Sequence, residues 1–476
     1  MIQQKVFSSQ LITRSTLLSL IFAASGFALQ AQILPVPHDV TVFLPPQNVS
    51  TPPSSSSPNP HTAWGQQIAV DSNGNTNIVW LDNSPGYYAV LFSRSSDLGL
   101  TFSAPQNLSN DPGGSSAPNI AVDSAGNINV VWAAQSGNQT GFFSRSTDGG
   151  NTFSAPVSIS NYLTTTPEIT LDFSGNIYLG WVDASSPYHN LFFSRSNDGG
   201  ITFSTPVQVT NRPPVGNARV PLIAADAAGN INLLWNDCLS DCSIKFSRSS
   251  DGGASFSPQQ NIANTFEYAS PLGLTLDSIG SIYVIYNTFP FGNVWLALST
   301  DGGATFSGTN ISNLTFRHQA GHAQVVIDLS SNIDVVWKDD NPGNIFCSRS
   351  NDYGATFSAT SVTNTGNGPQ IAVDAGGDIN LVWTDGPQDS SDIFFSRSSD
   401  GGATFSTPQN VSNDGKSSAP LIAVDSGGGV NVAWMDNSTG NFDIFFSRGI
   451  TQSIAFVNEI PALPVRARSW LSRPTQ

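Results

Sequence analysis

The chain is short of the residues that helices, thiol chemistry and nucleic-acid surfaces need. Its 476 residues include three glutamates (Glu168, Glu267 and Glu459), four lysines, two methionines and three cysteines. Acidic positions are filled by aspartate, which suits turns more than helices, and 42 glycines with 30 prolines point the same way, so almost no helix is expected. Bases are scarce too. With 18 of them against 34 acids the formal charge is −16, which repels phosphate backbones and excludes nucleic acid as a partner. No zinc-type cysteine spacing occurs, and no metal or organic cofactor is expected. Long apolar runs are absent beyond residues 17–29, so no transmembrane segment is expected. That one run is preceded by Lys5 and Arg14 and followed by Gln30-Ala31-Gln32, the order of a secretory signal cut after Ala31. Residues 1–31 are therefore read as a leader. Its removal takes two positive charges, from −16 to −18, and leaves a protein that is secreted, periplasmic or held at the cell surface.

Repetition is what the chain has in abundance. Residues 398–405, Ser-Ser-Asp-Gly-Gly-Ala-Thr-Phe, have six further copies, starting at Ser95, Ser146, Ser196, Ser249, Ser299 and Ser350. Their aspartates (Asp97, Asp148, Asp198, Asp251, Asp301, Asp352 and Asp400) stand 48 to 53 residues apart by subtraction of successive numbers. A period near fifty marks an array of one supersecondary unit. Within it, a short carboxylate accepts backbone hydrogen bonds of its own turn and glycine permits positive φ, which is hairpin chemistry. A second signature, of the form Ile-Ala-Val-Asp-Ser-x-Gly-Asn-Ile-Asn-Val-Val-Trp, recurs eight times around Asp71, Asp123, Asp172, Asp226, Asp277, Asp328, Asp374 and Asp425. It reads as two strands joined by a tight turn. A third strand ends in Ser-Arg-Ser and a fourth leaves the box phenylalanine.

Four strands in each of eight units, with no helical interludes, predict an all-β propeller of four-stranded antiparallel blades. The eighth unit lacks a box, while residues 42–50 near the start match the orphan fourth strand 405–412. The expectation is a ring closed by this N-terminal strand, which removes two exposed sheet edges; residues 453–457 are the rival for that place. The chain then divides into the leader 1–31, the closing strand with a Ser/Pro connector at 32–60, the propeller at 61–449 and a tail at 450–476.

The pattern Ser-x-Asp-x-Gly-x-Thr-aromatic resembles the Asp-box, or bacterial neuraminidase repeat, of the sialidase-like β-propellers. The resemblance implies the propeller fold. It leaves activity open, because the same box occurs in sialidases, other glycosidases, receptors and assembly factors.

Residues present in nearly every unit are expected to serve the fold. The arginines Arg94, Arg145, Arg195, Arg248, Arg349, Arg397 and Arg448 should make one structural contact per blade, and the aromatics from Trp80 to Trp434, with Tyr286 in the fifth unit, should pack between blades. Cys238 and Cys242 are expected to form a local disulfide, and Cys347, in place of a strand phenylalanine, a buried thiol.

Function is sought among residues that break the repeat. If strands alternate up and down, the boxes and first turns share one end of the ring. The second–third loops and blade links share the other. The loops carry Asp82, Asp183, Asp237, Asp339, Asp385 and Asp436, and three successive links carry Arg212 with Arg219, Glu267 with Tyr268, and Arg317 with His318 and His322. Arg219, Glu267, Tyr268, Arg317, His318 and His322 are the candidate ligand-binding set. In the sialidases that the box resembles, three arginines hold a carboxylate, a tyrosine activated by glutamate attacks, and an aspartate is the acid. That implies Arg212, Arg219 and Arg317 as the triad, Tyr268 with Glu267 as the nucleophile pair, and Asp237 as the acid. The readings are an exported module binding an extracellular glycan or protein, an exo-sialidase-type glycoside hydrolase, or a structural repeat module of a surface assembly.

Overall fold

A computed structural model describes residues 39–50, 63–135, 140–160, 163–185, 189–210, 218–238, 242–262, 268–289, 292–314, 320–341, 343–387 and 390–453. The leader, the Ser/Pro connector and tail residues 454–476 lie outside them. The described chain is an all-β propeller of eight antiparallel blades, with no helix among the described residues. Blade 1 is made of Ala63–Val70, Thr76–Asp82, Ala89–Ser95 and Gln106–Asn107, paired in that order. Blades 2 to 7 repeat the pattern. Each first strand contacts the first strands of both neighbouring blades around the ring, which makes it the innermost. The fourth strands are shorter than the sequence suggests. Most have only two paired residues, and those at Ser307–Asn310 and Ser358–Thr363 are longer.

The turn aspartates and the repeated arginines find one another. Asp71 accepts the backbone N–H groups of Asn73 and Asn75 and the Asn75 amide, and Arg94 Nη2 reaches its other side at 2.9 Å. Burial by itself would raise this carboxyl, but those hydrogen bonds and the guanidinium outweigh it and hold it below its usual range. The same ion pair joins Arg145 to Asp123, Arg248 to Asp226, Arg349 to Asp328, Arg397 to Asp374 and Arg448 to Asp425. Blades 3 and 5 solve the problem differently. Tyr178 and Tyr283 replace the strand residue that is Asn or Asp elsewhere, and their hydroxyls bond Asp172 and Asp277, each at 2.9 Å. Arg195 is thereby released to the carbonyl of Gly252, and Leu298 can stand where the fifth arginine would.

Each box closes its own turn and also ties its blade to the one before. In the third copy Asp198 accepts from the Ser196 hydroxyl and from the N–H and hydroxyl of Thr202. The Thr202 hydroxyl first, then its N–H and Ser196, hold that carboxyl at about 2 although it lies at the surface. In five of the seven boxes the second glycine lies against an aromatic ring of the preceding blade; Gly354 meets Leu296 instead, and Gly402 lies near Ile379 of its own blade. A Cβ at Gly253 would sit 2.0 Å from Phe193 Cε1, and Phe256 meets the same ring edge-on at 5.1 Å. Gly150 with Phe92, Gly200 with Phe143 and Gly303 with Phe246 repeat the contact, and Gly99 makes it with Phe446 across the first–last seam. Between blades the indoles are fully buried: Trp80 packs with Ala433 and Phe446 of blade 8. Cys347 takes the phenylalanine place in blade 6 as a free buried thiol, pushed up by that burial.

Blade 8 is completed from the other end of the chain. Its strands are Ser417–Val424, Val430–Asp436 and Asp443–Ser453, and Gln47–Asn48 pairs with Phe446 and Phe445 as the fourth. The backbone bonds of an ordinary fourth strand are reproduced, although Leu44 has no hydroxyl to accept the Arg448 N–H as Ser406 does from Arg397 in blade 7. The Leu44 N–H donates to the Arg448 carbonyl and Ser447 Oγ to the Leu44 carbonyl, as Ser406 does with Arg397 and Ser396 in blade 7. Ser50 Oγ bonds Asp443 at 2.7 Å and accepts the Ile444 N–H, and Val49 is fully buried. Phe43 stands where a box phenylalanine would, edge-on to Phe395 of blade 7 at 5.0 Å. Where other blades turn, Asp39–Phe43 and residues 449–453 continue side by side as a two-stranded ribbon. Residue 453 thus ends the third strand rather than beginning a fourth.

Two stability differences follow. Gly253→Ala forces a methyl into Phe193 at positive φ, and should cost about 1–3 kcal/mol more than Gly428→Ala, whose positive-φ site has nothing within 4 Å; paired denaturation midpoints measure the difference. Val49→Ala should cost about 1–3 kcal/mol, and a chain lacking residues 32–50 should melt well below the parent. An unchanged melting temperature in the truncated chain would mean that the ring does not depend on its N-terminal strand.

Candidate functional site

Every first strand slips against its second near the link end of the ring. The slips fall between Trp64 and Gln67, Ser116 and Asn119, Thr165 and Glu168, Arg219 and Leu222, Pro271 and Gly273, Gly321 and Gln324, Asn367 and Gln370, and Ser418 and Leu421. These are bulges. In seven blades the residue inside has positive φ: Gly65, Ala117, Thr166, Val220, His322, Gly368 and Ala419. A bulge in the innermost strand re-aims side chains at the ring axis, where the ladder would otherwise fix them between blades.

The residues just after the bulges form one tier around the axis: Gln67, Asn119, Glu168, Leu222, Gly273, Gln324, Gln370 and Leu421. Neighbours in this tier bond from blade to blade. Asn119 Nδ2 donates to Glu168 Oε2 at 2.8 Å, and Gln324 Nε2 to Gln370 Oε1 at 2.7 Å. Beside the first pair lies a cavity of about 190 Å³ between blades 1, 2 and 3, with Gln67, Thr166 and Glu168 as polar lining and Leu81, Pro118 and Pro167 as apolar walls. Burial pushes the Glu168 carboxyl up to about 7, and the Asn119 amide only partly offsets it. Glu168 thus keeps its proton to higher pH than a free carboxyl, and it is the one acid in a tier of amides, leucines and a glycine.

The residues picked out from the sequence fare unevenly. Arg219 is exposed just before the blade 4 bulge, opposite Asn236. Asp237 is buried at 8 % exposure, opposite Ala218. His322 is the exposed bulge residue of blade 6, so it and Arg219 stand two blades apart. Tyr268 begins the first strand of blade 5, opposite Phe289, with its side chain outside the described residues. Arg212, Glu267, Arg317 and His318 also lie outside them.

The loop aspartates prove to be turn residues. Asp82 accepts the Ser84 N–H and the Trp80 indole, Asp183 and Asp436 the N–H and hydroxyl of Ser185 and Ser438, and Asp339 the Asn341 N–H. Asp237 occupies the same place in blade 4. Next to it Cys238 and Cys242, opposite each other in register, are joined by a disulfide. Among the described residues no group of three or more His, Cys, Asp or Glu is gathered to hold a metal ion. No helix there is long and apolar enough to cross a membrane.

Glu168 is what reading the sequence for chemistry passed over. The signal was present, because the slot aligned with it holds no other acid in any unit.

No family model matches the sequence, and no curated protein is similar to it at a significant level. Solved structures do resemble it in fold. A polysaccharide lyase, an ulvan lyase bound to -[GlcA(1-4)Rha3S]-, aligns at 13 % identity and a TM-score of 0.48 over 86 % of this chain and 95 % of its own. A protein of unknown function from Dyadobacter fermentans aligns at 13 % identity and 0.46 over 87 % and 99 %. A leech intramolecular trans-sialidase aligns at 13 % identity and 0.42 over 87 % and 91 %.

Proposed function

We propose that the protein is an exported β-propeller that binds a glycan at the link end of its ring axis, directed out of the cytoplasm by residues 1–31. The observation that carries this reading is the cavity beside Glu168 and Asn119. Its lining mixes hydrogen-bonding groups (the Gln67 carboxamide, the Thr166 hydroxyl and the Glu168 carboxyl) with the apolar surfaces of Leu81, Pro118 and Pro167. A sugar ring offers the complement, hydroxyls along its edge and C–H groups on its face.

Binding is favoured over hydrolysis by the carboxylate count. Glycoside cleavage needs two carboxyl groups about 5–10 Å apart, or a tyrosine with its activating acid in place of one of them. Among the described residues lining this cavity, Glu168 is the only acid. We therefore expect no turnover of a fluorogenic sialoside by the mature protein, and retained glycan binding on an array. Turnover that disappears in an Arg219→Ala, Tyr268→Phe variant would replace this reading with the hydrolase.

Glu168 also sets a pH dependence of stability. Its folded value near 7 lies above the unfolded value near 4.5, so ionising it costs more in the fold than out of it. Stability should fall as pH rises from about 4.5 to 7, on the order of 2–3 kcal/mol in total from this group. Glu168→Gln should flatten that part of the profile, measured by urea midpoints from pH 4 to 8. An identical slope in both proteins would mean that the carboxyl is well solvated.

A further inference from the structure

We propose that the ligand of this cavity is an amino sugar, a glycan with a free ammonium group that pairs with the Glu168 carboxylate. The inference rests on the glycan-binding reading and narrows it to a substrate class.

The first support is the isolation of Glu168. Elsewhere the turn carboxylates are well matched: Asp71, Asp123, Asp226, Asp328, Asp374 and Asp425 each carry an arginine, and the buried Asp82, Asp183 and Asp436 each take two or more hydrogen bonds from neutral donors nearby. Glu168 has one hydrogen bond, from the neutral Asn119 amide, and no cation among the described residues. The charged or titratable groups on the strands packed around it are engaged or turned away. Arg145 of blade 2 is held by Asp123 at the box end, Tyr178 of its own blade by Asp172, Asp183 binds Ser185, and Arg219 of blade 4 is exposed. Glu168 is half-buried, and a partly desolvated carboxylate without a cation is costly; a cation brought by the ligand lowers that cost.

The second support is the shape of the lining. An ammonium has three donors and no acceptor. Besides the carboxylate, the cavity offers the hydroxyl oxygen of Thr166 and the carboxamide oxygen of Gln67, while its apolar walls favour the rest of a sugar ring. The third is long-range charge. A formal −16 draws cationic glycans toward the ring and repels carboxylated or sulfated ones.

Pairing needs an ionised carboxyl and a protonated amine, and a sugar amine also titrates near neutral pH, so the proton that leaves Glu168 is the one the amine takes up. Amine affinity should be greatest near neutral pH and decline on the acid side, where Glu168 protonates, and on the alkaline side, where the amine loses its charge.

The experiment is calorimetric titration of the mature protein with a tetrasaccharide of glucosamine and with its fully N-acetylated counterpart, in 150 mM salt, in two buffers of different ionisation enthalpy. Near pH 7 the amine form should bind at least tenfold tighter, with little net proton exchange with the buffer; at pH 5 the preference should vanish. Glu168→Gln should bind both forms alike, whereas the surface control Asp340→Asn should keep the preference. Equal affinity of both sugars for the parent, or a preference that survives Glu168→Gln, would overturn the amino-sugar assignment and leave glycan binding in place. Binding of neither sugar, together with a blank glycan array, would overturn the glycan reading itself.

Discussion

The contact on which the ring depends is a glycine against a phenylalanine. Five of the seven boxes present their second glycine to a phenylalanine of the preceding blade so closely that a single methyl group would collide with it, and a sixth presents Gly354 to Leu296 in the same way. Positive φ at that glycine gives the hairpin its shape, and the missing side chain gives the neighbour its seat. One residue thus serves local turn geometry and packing between blades. The box phenylalanine then covers the same ring edge-on, so sequence-distant blades are joined by a motif that looks purely local.

Closure follows from that constraint. A ring of stapled blades leaves its last blade without a following unit to supply a strand and a staple, and the chain provides both from residues 43–50. Phe43 fills the aromatic place, Gln47–Asn48 the strand, and Ser50 the terminal hydrogen bonds. At the inner rim the seam gains a contact of its own. Gln66 stands where other blades have Pro or an apolar residue, and its amide donates to the Ala419 carbonyl at 2.7 Å.

Repetition also explains why the two ends of the ring differ in chemistry. At the box end the carboxylates are satisfied by arginines or tyrosines, and blades 3 and 5 keep the bond while changing the donor. At the link end the bulges open the ladder and the tier behind them varies from blade to blade. Glu168 is the extreme case of that variation, a carboxyl placed among amides.

The number of blades, the strand order, the structural role of the boxes and the closing segment were all legible in the sequence. Each is written as a period, and a period survives without knowledge of contacts. The tryptophans and Cys347 could be assigned to the interior for the same reason. The arginine contact was legible as a rule, but not its two exceptions, because exchanging Asn for Tyr at residues 178 and 283 matters only once the hydroxyl is seen to reach the turn. The loop aspartates looked like free chemistry until their own loops were found bonded to them. Glu168 breaks its slot in the sequence, but only the tertiary structure gives that slot an environment. Its slot is defined by a bulge that shifts strand register, and its raised carboxyl by burial between blades whose residues are about fifty positions apart. Sequence fixes which side chains repeat, whereas the environment of the one that does not is decided by the neighbours that the closed ring brings to it.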